Sequence, residues 1–167
     1  MKTPVISIVG RSNSGKTTLL VKLIKGLAKK GYNIGTVKHT FRDFEIDYPG
    51  KDSYRHYHAG SKATAIVAPG KIAYIKRLSR PLTLEYIVKR FYKGVDLVIA
   101  EGFKEEKIVK IEVVKRGERL IFSGSRYLAA VVADKKLNDF PCPQFRRGEI
   151  SRLVNYIERI LLCRRKK

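Results

Sequence analysis

Residues 10–17 read Gly-Arg-Ser-Asn-Ser-Gly-Lys-Thr, which matches the pattern G-x-x-x-x-G-K-[ST] at every fixed position. The apolar run 4–9 precedes this stretch, and the run 18–27, with helical spacing of its apolar residues, follows it. A strand, a glycine-rich loop and a helix in that order form the context in which this pattern binds the phosphates of a nucleoside triphosphate. The sequence therefore predicts a nucleotide site in an α/β fold of the P-loop NTPase class.

Each residue type in the loop is expected to have its own role in binding the nucleotide. Gly10 and Gly15 allow tight turns that direct backbone N–H groups inward. Lys16 is expected to contact the β- and γ-phosphates and to act in catalysis, and the Thr17 hydroxyl is expected to bind Mg²⁺. The alternative interpretation is a glycine-rich strand–helix turn that binds nothing.

Composition limits the class of protein. The chain has 167 residues, the size of one domain, and a net charge of +21, which attracts polyanions such as nucleotides, phosphorylated cofactors or an acidic partner. It has neither a run of 18 apolar residues nor a signal-peptide pattern, so we expect a cytoplasmic protein without a membrane segment. Cys142 and Cys163 fit no zinc motif.

Apolar periodicity predicts alternating strands and helices. The predicted strands are 4–9, 33–39, 63–68, 71–76, 96–100, 107–115 and 128–133, and the predicted helices are 16–30, 53–59, 82–92 and 149–162. This order predicts a single domain, 1–167, with a doubly wound, mostly parallel sheet flanked by helices. Because charged residues alternate along 107–115, we expect a half-exposed edge strand there, and hence a homodimer paired through it.

Two groups of acidic residues are candidates to complete the site. Glu101 ends the apolar strand 96–100, at the sheet edge where such folds bind ligands. It is expected to bind Mg²⁺ directly or through water, and it or an acid of 43–52 is expected to orient the attacking water in catalysis. The loop 38–53 carries a cluster of acids that would lie over the γ-phosphate as a switch segment does, and Asp47 is its candidate metal ligand. The alternatives are a strand-end acid and a solvated loop.

Several strings together resemble the molybdopterin-guanine dinucleotide biosynthesis protein B family. They are 10–18, Lys38-His39-Thr40, Asp47-Tyr48-Pro49-Gly50-Lys51-Asp52-Ser53, Ala59-Gly60 and Asp96-Leu97-Val98-Ile99-Ala100-Glu101-Gly102-Phe103-Lys104. The Pro-Gly-Lys-Asp-Ser and Glu-Gly-Phe-Lys strings are the specific ones. The resemblance implies a dimeric protein that binds GTP and Mg²⁺, hydrolyses GTP weakly, and assists the guanylyltransferase that attaches GMP to molybdopterin or its molybdenum form.

The resemblance also implies site residues. The nucleotide-binding positions are Gly10, Asn13, Ser14, Gly15, Lys16, Thr17 and Thr18 in the loop, and Lys51, Asp52 and Ser53 near the nucleotide or the pterin. Glu101 is the matching acid. Many relatives have His-His-Asp where this chain has 41–43, Phe-Arg-Asp, and no Asn-Lys-x-Asp guanine box is present. Asp134, after the strand 128–133, is the candidate that pairs the guanine N1–H and N2–H₂ groups.

Two other functions are compatible with the residues alone. A small-molecule kinase of the same loop class would take its base from the acids of 43–52. A nucleic-acid-binding ATPase is motivated only by charge, and the basic residues are spread along the chain rather than clustered with aromatics, so nucleic-acid binding is not expected.

Overall fold

The computed structural model describes residues 3–135, 137 and 142–162. The chain forms two compact units: one comprises residues 1–39 and 83–167, and the other comprises residues 40–82. In chain order the elements are β1 (Val5–Val9), α1 (Lys16–Lys29), β2 (Ile34–Lys38), α2 (Asp52–His58), β3 (Ala63–Ala68), β4 (Lys71–Lys76), α3 (Leu84–Phe91), β5 (Leu97–Glu101), β6 (Val109–Val113), β7 (Leu128–Ala133), β8 (Gln144–Arg146), α4 (Ile150–Ile157) and a π-helical turn (Glu158–Leu162).

The first unit contains a six-stranded sheet in the order β2-β5-β1-β6-β7-β8. Every neighbouring pair in it is parallel. The carboxyl ends of all six strands therefore meet at one edge, where doubly wound sheets bind ligands. This arrangement confirms the predicted α/β fold of the P-loop NTPase class.

Two helices cover one face of the sheet because each carries an apolar stripe at helical spacing. On α1 the fully buried residues of the stripe are Leu23 and Leu27, and on α4 Leu153 and Ile157 are 1% and 0% exposed. These side chains pack with the inner residues of the strands into the main hydrophobic core. The apolar stripe of α4 is thus core packing. The packing holds α1, and with it the phosphate loop, against the sheet.

The strand predicted over 107–115 is not an edge strand, and that prediction is wrong. β6 lies between β1 and β7 and pairs with both. Its charged residues Lys110 and Glu112 are only 2% and 1% exposed. The Lys110 ammonium donates to the carbonyls of Glu106 and Ile108. The charged residues that suggested an exposed strand are in fact buried and hydrogen-bonded. This strand therefore offers no argument for a dimer.

The buried Glu112 carboxylate organises the loop after β6. It accepts the N–H of Ile121 at 2.7 Å and that of Phe122 at 3.0 Å, one on each oxygen. We expect Glu112→Gln to lower the free energy of unfolding by about 1–3 kcal/mol, because the amide NH₂ leaves one buried N–H without an acceptor. Urea unfolding measures this loss. Glu105→Gln, at an exposed position, is the matched control, and equal stability of the two variants would contradict the role of Glu112.

One strand and several boundaries differ from the sequence prediction. β3, β4 and β7 have the predicted bounds, and β5 is shifted by one residue so that it includes Glu101. β8 was not predicted, since it is only three residues long and follows a proline at 143, which masks the pattern of a strand. Cys163 and the basic residues 164–167 lie outside the described residues.

The second unit contains α2 and an antiparallel hairpin of β3 and β4, in register from Ala63↔Lys76 to Ala68↔Lys71. Arg77 joins the hairpin to the helix: its guanidinium lies 4.2 Å from the centre of the Tyr57 ring and donates to the Tyr57 carbonyl at 2.8 Å. A cation over an aromatic face and a charged hydrogen bond both stabilise this contact.

Candidate nucleotide-binding site

The loop 10–15 connects β1 to α1 and has a glycine at each end, where φ is positive. Gly10 has φ 141°, and a Cβ there would lie 2.4 Å from the carbonyl oxygen of Val113 on β6. Gly15 has φ 88°, and a Cβ there would lie 2.5 Å from the Nη1 atom of Arg147. A side chain at position 10 would meet the backbone of β6, and one at position 15 would displace the Arg147 guanidinium and strain the backbone at a positive φ. The predicted glycines are thus required by backbone conformation and by close packing.

The amino end of α1 is open to an anion. The N–H of Leu19 makes the first bond of the helix, to the Gly15 carbonyl at 3.0 Å. The first turn has no acidic residue, and Gly15 provides no side-chain cap. The N–H groups of the residues before Leu19, including the predicted Thr17 and Thr18, therefore have no acceptor within the helix. Together with the helix dipole they form the type of site that binds phosphate.

Lys16 lies near charged side chains of both signs. Its ammonium donates to the Arg11 carbonyl across the loop at 2.6 Å. Partial burial lowers the pKa of Lys16, the Glu101 and Glu118 carboxylates oppose that shift, and the Lys104 and Lys38 ammonium groups lower the pKa further. Those lysines belong to the strings that carry the family resemblance. The two carboxylates offset only part of the charge of the three lysines, and a bound anion would favour the protonated form of Lys16.

Thr17 and Glu101 come together as predicted. The Thr17 Oγ1 atom lies 3.3 and 3.4 Å from the two carboxylate oxygens of Glu101. In octahedral Mg²⁺ coordination with bonds of about 2.1 Å, adjacent ligand oxygens are about 3 Å apart. The observed spacing therefore suits two oxygens that share one Mg²⁺ ion, either as two direct ligands or with Glu101 bound through a water. The two residues fit the metal that the sequence predicted for them.

The end of β5 is fixed by three hydrogen bonds from neighbouring strands. The His39 N–H donates to the Glu101 carbonyl at 3.0 Å, and the Gly102 N–H donates to the Ile8 carbonyl at 3.2 Å. The hydroxyl of Ser7, which is 0% exposed, donates to the Gly102 carbonyl. Sequence reasoning missed Ser7. The serine within the otherwise apolar run of β1 was a signal in the sequence, because a buried hydroxyl is expected to have a hydrogen-bond partner.

A second residue missed by sequence reasoning is Arg147, in the turn after β8. Its guanidinium contacts the Ser14 carbonyl in the phosphate loop and the Asp134 carboxylate after β7. Asp134, the predicted guanine-binding residue, thus lies at the same sheet edge as the loop. Its side chain is 42% exposed. The sequence predicted neither β8 nor the turn that follows it, so nothing indicated that Arg147 reaches this edge.

The other predicted residues lie in the second unit, around the start of α2. Lys51 immediately precedes the helix, and Asp52 and Ser53 form its first turn. Hydrogen bonds from the Ser53 hydroxyl and from the Tyr48 N–H lower the pKa of Asp47. The structure thus places the Pro-Gly-Lys-Asp-Ser string and Asp47 together in the turn that leads into α2. Their assignment to nucleotide, pterin or metal stays a prediction.

The comparison with known proteins agrees with the geometry. Residues 5–134 match the sequence pattern of the family described as molybdopterin guanine dinucleotide synthesis protein B, called MobB. The chain belongs to the MobB family. It is 36% identical over 143 residues, 81% of each chain, to the molybdopterin-guanine dinucleotide biosynthesis adapter protein of Escherichia coli (strain K12).

Solved MobB structures share the fold. A crystal structure of molybdopterin-guanine biosynthesis protein B superimposes with a TM-score of 0.78 at 33% identity, and the match covers 94% of this chain and 98% of that chain. A MobB homologue from Bacillus stearothermophilus superimposes with a TM-score of 0.69 at 26% identity, covering 93% and 95% of the two chains. No helix in the described part of this MobB chain is long and apolar enough to span a membrane.

Proposed function

We propose that this MobB protein is a GTP-binding adapter with weak GTPase activity that assists the guanylyltransferase of molybdopterin guanine dinucleotide biosynthesis. The observation that carries the proposal is the contact of Thr17 with Glu101 beside the open amino end of α1. Family membership and the name of the Escherichia coli relative support the pathway. The chemistry of the site supports a nucleoside triphosphate with Mg²⁺.

The proposed roles follow from the positions of the side chains. The loop amides and Lys16 hold the β- and γ-phosphates, and Thr17 and Glu101 hold the Mg²⁺ ion, which offsets phosphate charge when it is bound. Asp134 accepts the donors of the guanine edge. Discrimination against adenine follows because adenine cannot supply both N–H donors to one carboxylate.

Slow hydrolysis is consistent with the charge distribution. Lys38 and Lys104 lie close enough to Lys16 to lower its pKa. Fixed cations of this kind attract the triphosphate equally in the ground state and in the transition state. Such uniform binding raises affinity and does not raise the rate of hydrolysis. An adapter needs a nucleotide that stays bound long enough to be recognised. We therefore expect the partner enzyme, rather than this chain, to use the guanylyl group.

The partners are proposed from charge and from the family. A net charge of +21 suits a phosphorylated pterin, either molybdopterin or its molybdenum form, or an acidic face of the guanylyltransferase. A homodimer remains part of the proposal through the family resemblance. It no longer has support from the strand 107–115.

Calorimetric titration with GTP and with ATP, each with Mg²⁺, tests the nucleotide assignment. We expect tighter binding of GTP by about 10-fold or more, because one carboxylate pairs two guanine donors and each charged hydrogen bond contributes about 1.5–3 kcal/mol. Purified guanylyltransferase should then form more dinucleotide when this protein and GTP are present. Equal affinity for ATP, or transfer of phosphate to a small molecule seen by mass spectrometry, would instead favour a kinase.

A further inference from the structure

The Arg147 guanidinium donates three hydrogen bonds to three different segments. Its Nη1 atom lies 2.7 Å from the Ser14 carbonyl, and its Nη2 atom lies 2.9 Å from the Val114 carbonyl. Its Nε atom lies 2.5 Å from the Asp134 Oδ1 atom. The first acceptor belongs to the phosphate loop, and the other two directly follow β6 and β7. One side chain therefore connects all three segments at the ligand-binding edge of the sheet.

The contact with the loop determines how one peptide unit is oriented. A trans peptide is planar, and its C=O and N–H groups point in opposite directions. Because the Ser14 carbonyl points toward Arg147, the N–H of Gly15 points away from it. Gly15 leaves room for this contact, since a Cβ there would lie 2.5 Å from the Nη1 atom. Arg147 thus helps to set the direction of an amide in the phosphate-binding loop.

The contact with Arg147 orients the Asp134 carboxylate and leaves most of its hydrogen-bond acceptor sites available. A carboxylate has about four acceptor sites, and the Nε atom of Arg147 takes one of them on Oδ1. The side chain of Asp134 is 42% exposed, so it remains accessible to a ligand. Arg147 itself is held by two backbone carbonyls, which gives the carboxylate a fixed partner rather than a mobile one.

We propose that Arg147 is a positioning residue that couples the phosphate loop to Asp134, so that phosphate affinity and preference for guanine depend on the same side chain. This inference rests on the proposed binding of GTP. The matched sequence pattern of the family ends at residue 134, so it does not include Arg147.

The test compares Arg147→Ala and Arg147→Lys with Arg146→Ala, which removes the same charge from an exposed neighbour. The probes are GTP, ATP and inorganic triphosphate, each with Mg²⁺, measured by calorimetry. Arg147→Ala should weaken GTP binding by about 10- to 100-fold, weaken triphosphate binding less, and reduce the ratio of GTP to ATP affinity towards one. Arg146→Ala should retain the ratio of the unaltered protein.

Arg147→Lys and a double variant separate positioning from general loss of structure. Arg147→Lys restores the positive charge, but one ammonium does not span three separated acceptors, so the GTP/ATP ratio should still fall. This variant decides the question if Arg147→Ala does not fold. In an Asp134→Ala background, Arg147→Ala should no longer change the ratio, because the coupled carboxylate is absent.

The outcomes also separate this inference from the proposed function. If the unaltered protein binds GTP and ATP equally, both the proposed function and the coupling are wrong. If it prefers GTP and the preference survives both Arg147 substitutions, the coupling is wrong and the proposed function stands. A fall in affinity for all three probes by the same factor, at an unchanged GTP/ATP ratio, would also overturn the coupling, because it would leave Arg147 only a structural contact of the loop.

Discussion

Lys16→Ala is expected to weaken GTP binding by about 100-fold or more. A hydrogen bond to a charged group contributes about 1.5–3 kcal/mol, and the lysine of this loop contacts two phosphates. The ammonium is already held across the loop by the Arg11 carbonyl, 2.6 Å away, so little side-chain freedom is left to lose on binding. Calorimetric titration with GTP and Mg²⁺ measures the loss.

A matched control separates this contact from the general positive charge of the protein. Lys22 lies on the same helix, six residues later, and is exposed. Lys22→Ala removes an equal charge at a distance from the loop, and we expect GTP affinity to change by less than about 3-fold. If both variants weakened binding equally, attraction by the whole +21 field would explain the affinity, and the specific role of Lys16 would be wrong.

The pH dependence of binding gives an independent readout. Burial and the neighbouring lysines lower the pKa of Lys16, and only the protonated amine attracts phosphate. As pH rises through this lowered pKa, the amine loses its proton and GTP affinity falls, at a lower pH than for an ordinary lysine. Bound phosphate favours the protonated form, so binding should take up protons in this range. Lys16→Ala should abolish that proton uptake.

The phosphate loop and the strand before Glu101 were predictable because each is a local pattern. Residues 10–17 fix a turn type, a helix start and a cation within eight positions, and 96–100 are apolar enough to mark a central strand. The contact of Thr17 with Glu101 then follows from parallel topology, since two neighbouring strands end at the same sheet edge. Local patterns combined with one topological rule were sufficient for that half of the site.

The other half depends on long-range partners that no local pattern shows. Lys110 and Glu112 produce the alternation of an exposed strand, yet both are buried with hydrogen-bond partners on the loops that flank β6. Arg147 depends on β8, a strand too short to be distinguished from a loop. The end of the buried strand 128–133 pointed to Asp134 as a candidate, but no sequence pattern indicated its contact with Arg147. Periodicity reports amphipathic character, and it fails where the buried face is itself charged.

Glu101→Ala should reverse its effect on GTP binding according to whether Mg²⁺ is present. The Glu101 carboxylate lies 3.3 and 3.4 Å from the Thr17 hydroxyl, a spacing that suits a shared ion. With Mg²⁺ the variant should bind GTP about 10- to 100-fold more weakly, since an acidic contact to the metal is lost. With EDTA it should bind GTP as well as the unaltered protein or better, because a negative charge facing the phosphates is gone.

This crossover distinguishes a metal-binding acid from a strand-end acid. A purely structural Glu101 would lower affinity by the same factor with Mg²⁺ and with EDTA, because a disturbed loop binds neither form of the nucleotide well. Glu105→Ala is the charge-matched control at an exposed position four residues later, and it should show no crossover. The bonds with His39, Ile8 and the Ser7 hydroxyl use only the main-chain groups of residues 101 and 102, so the Glu101 side chain can be removed while these three bonds remain. Parallel losses in both conditions would therefore remove Glu101 from the metal site and leave Thr17 as its remaining ligand from this sheet edge.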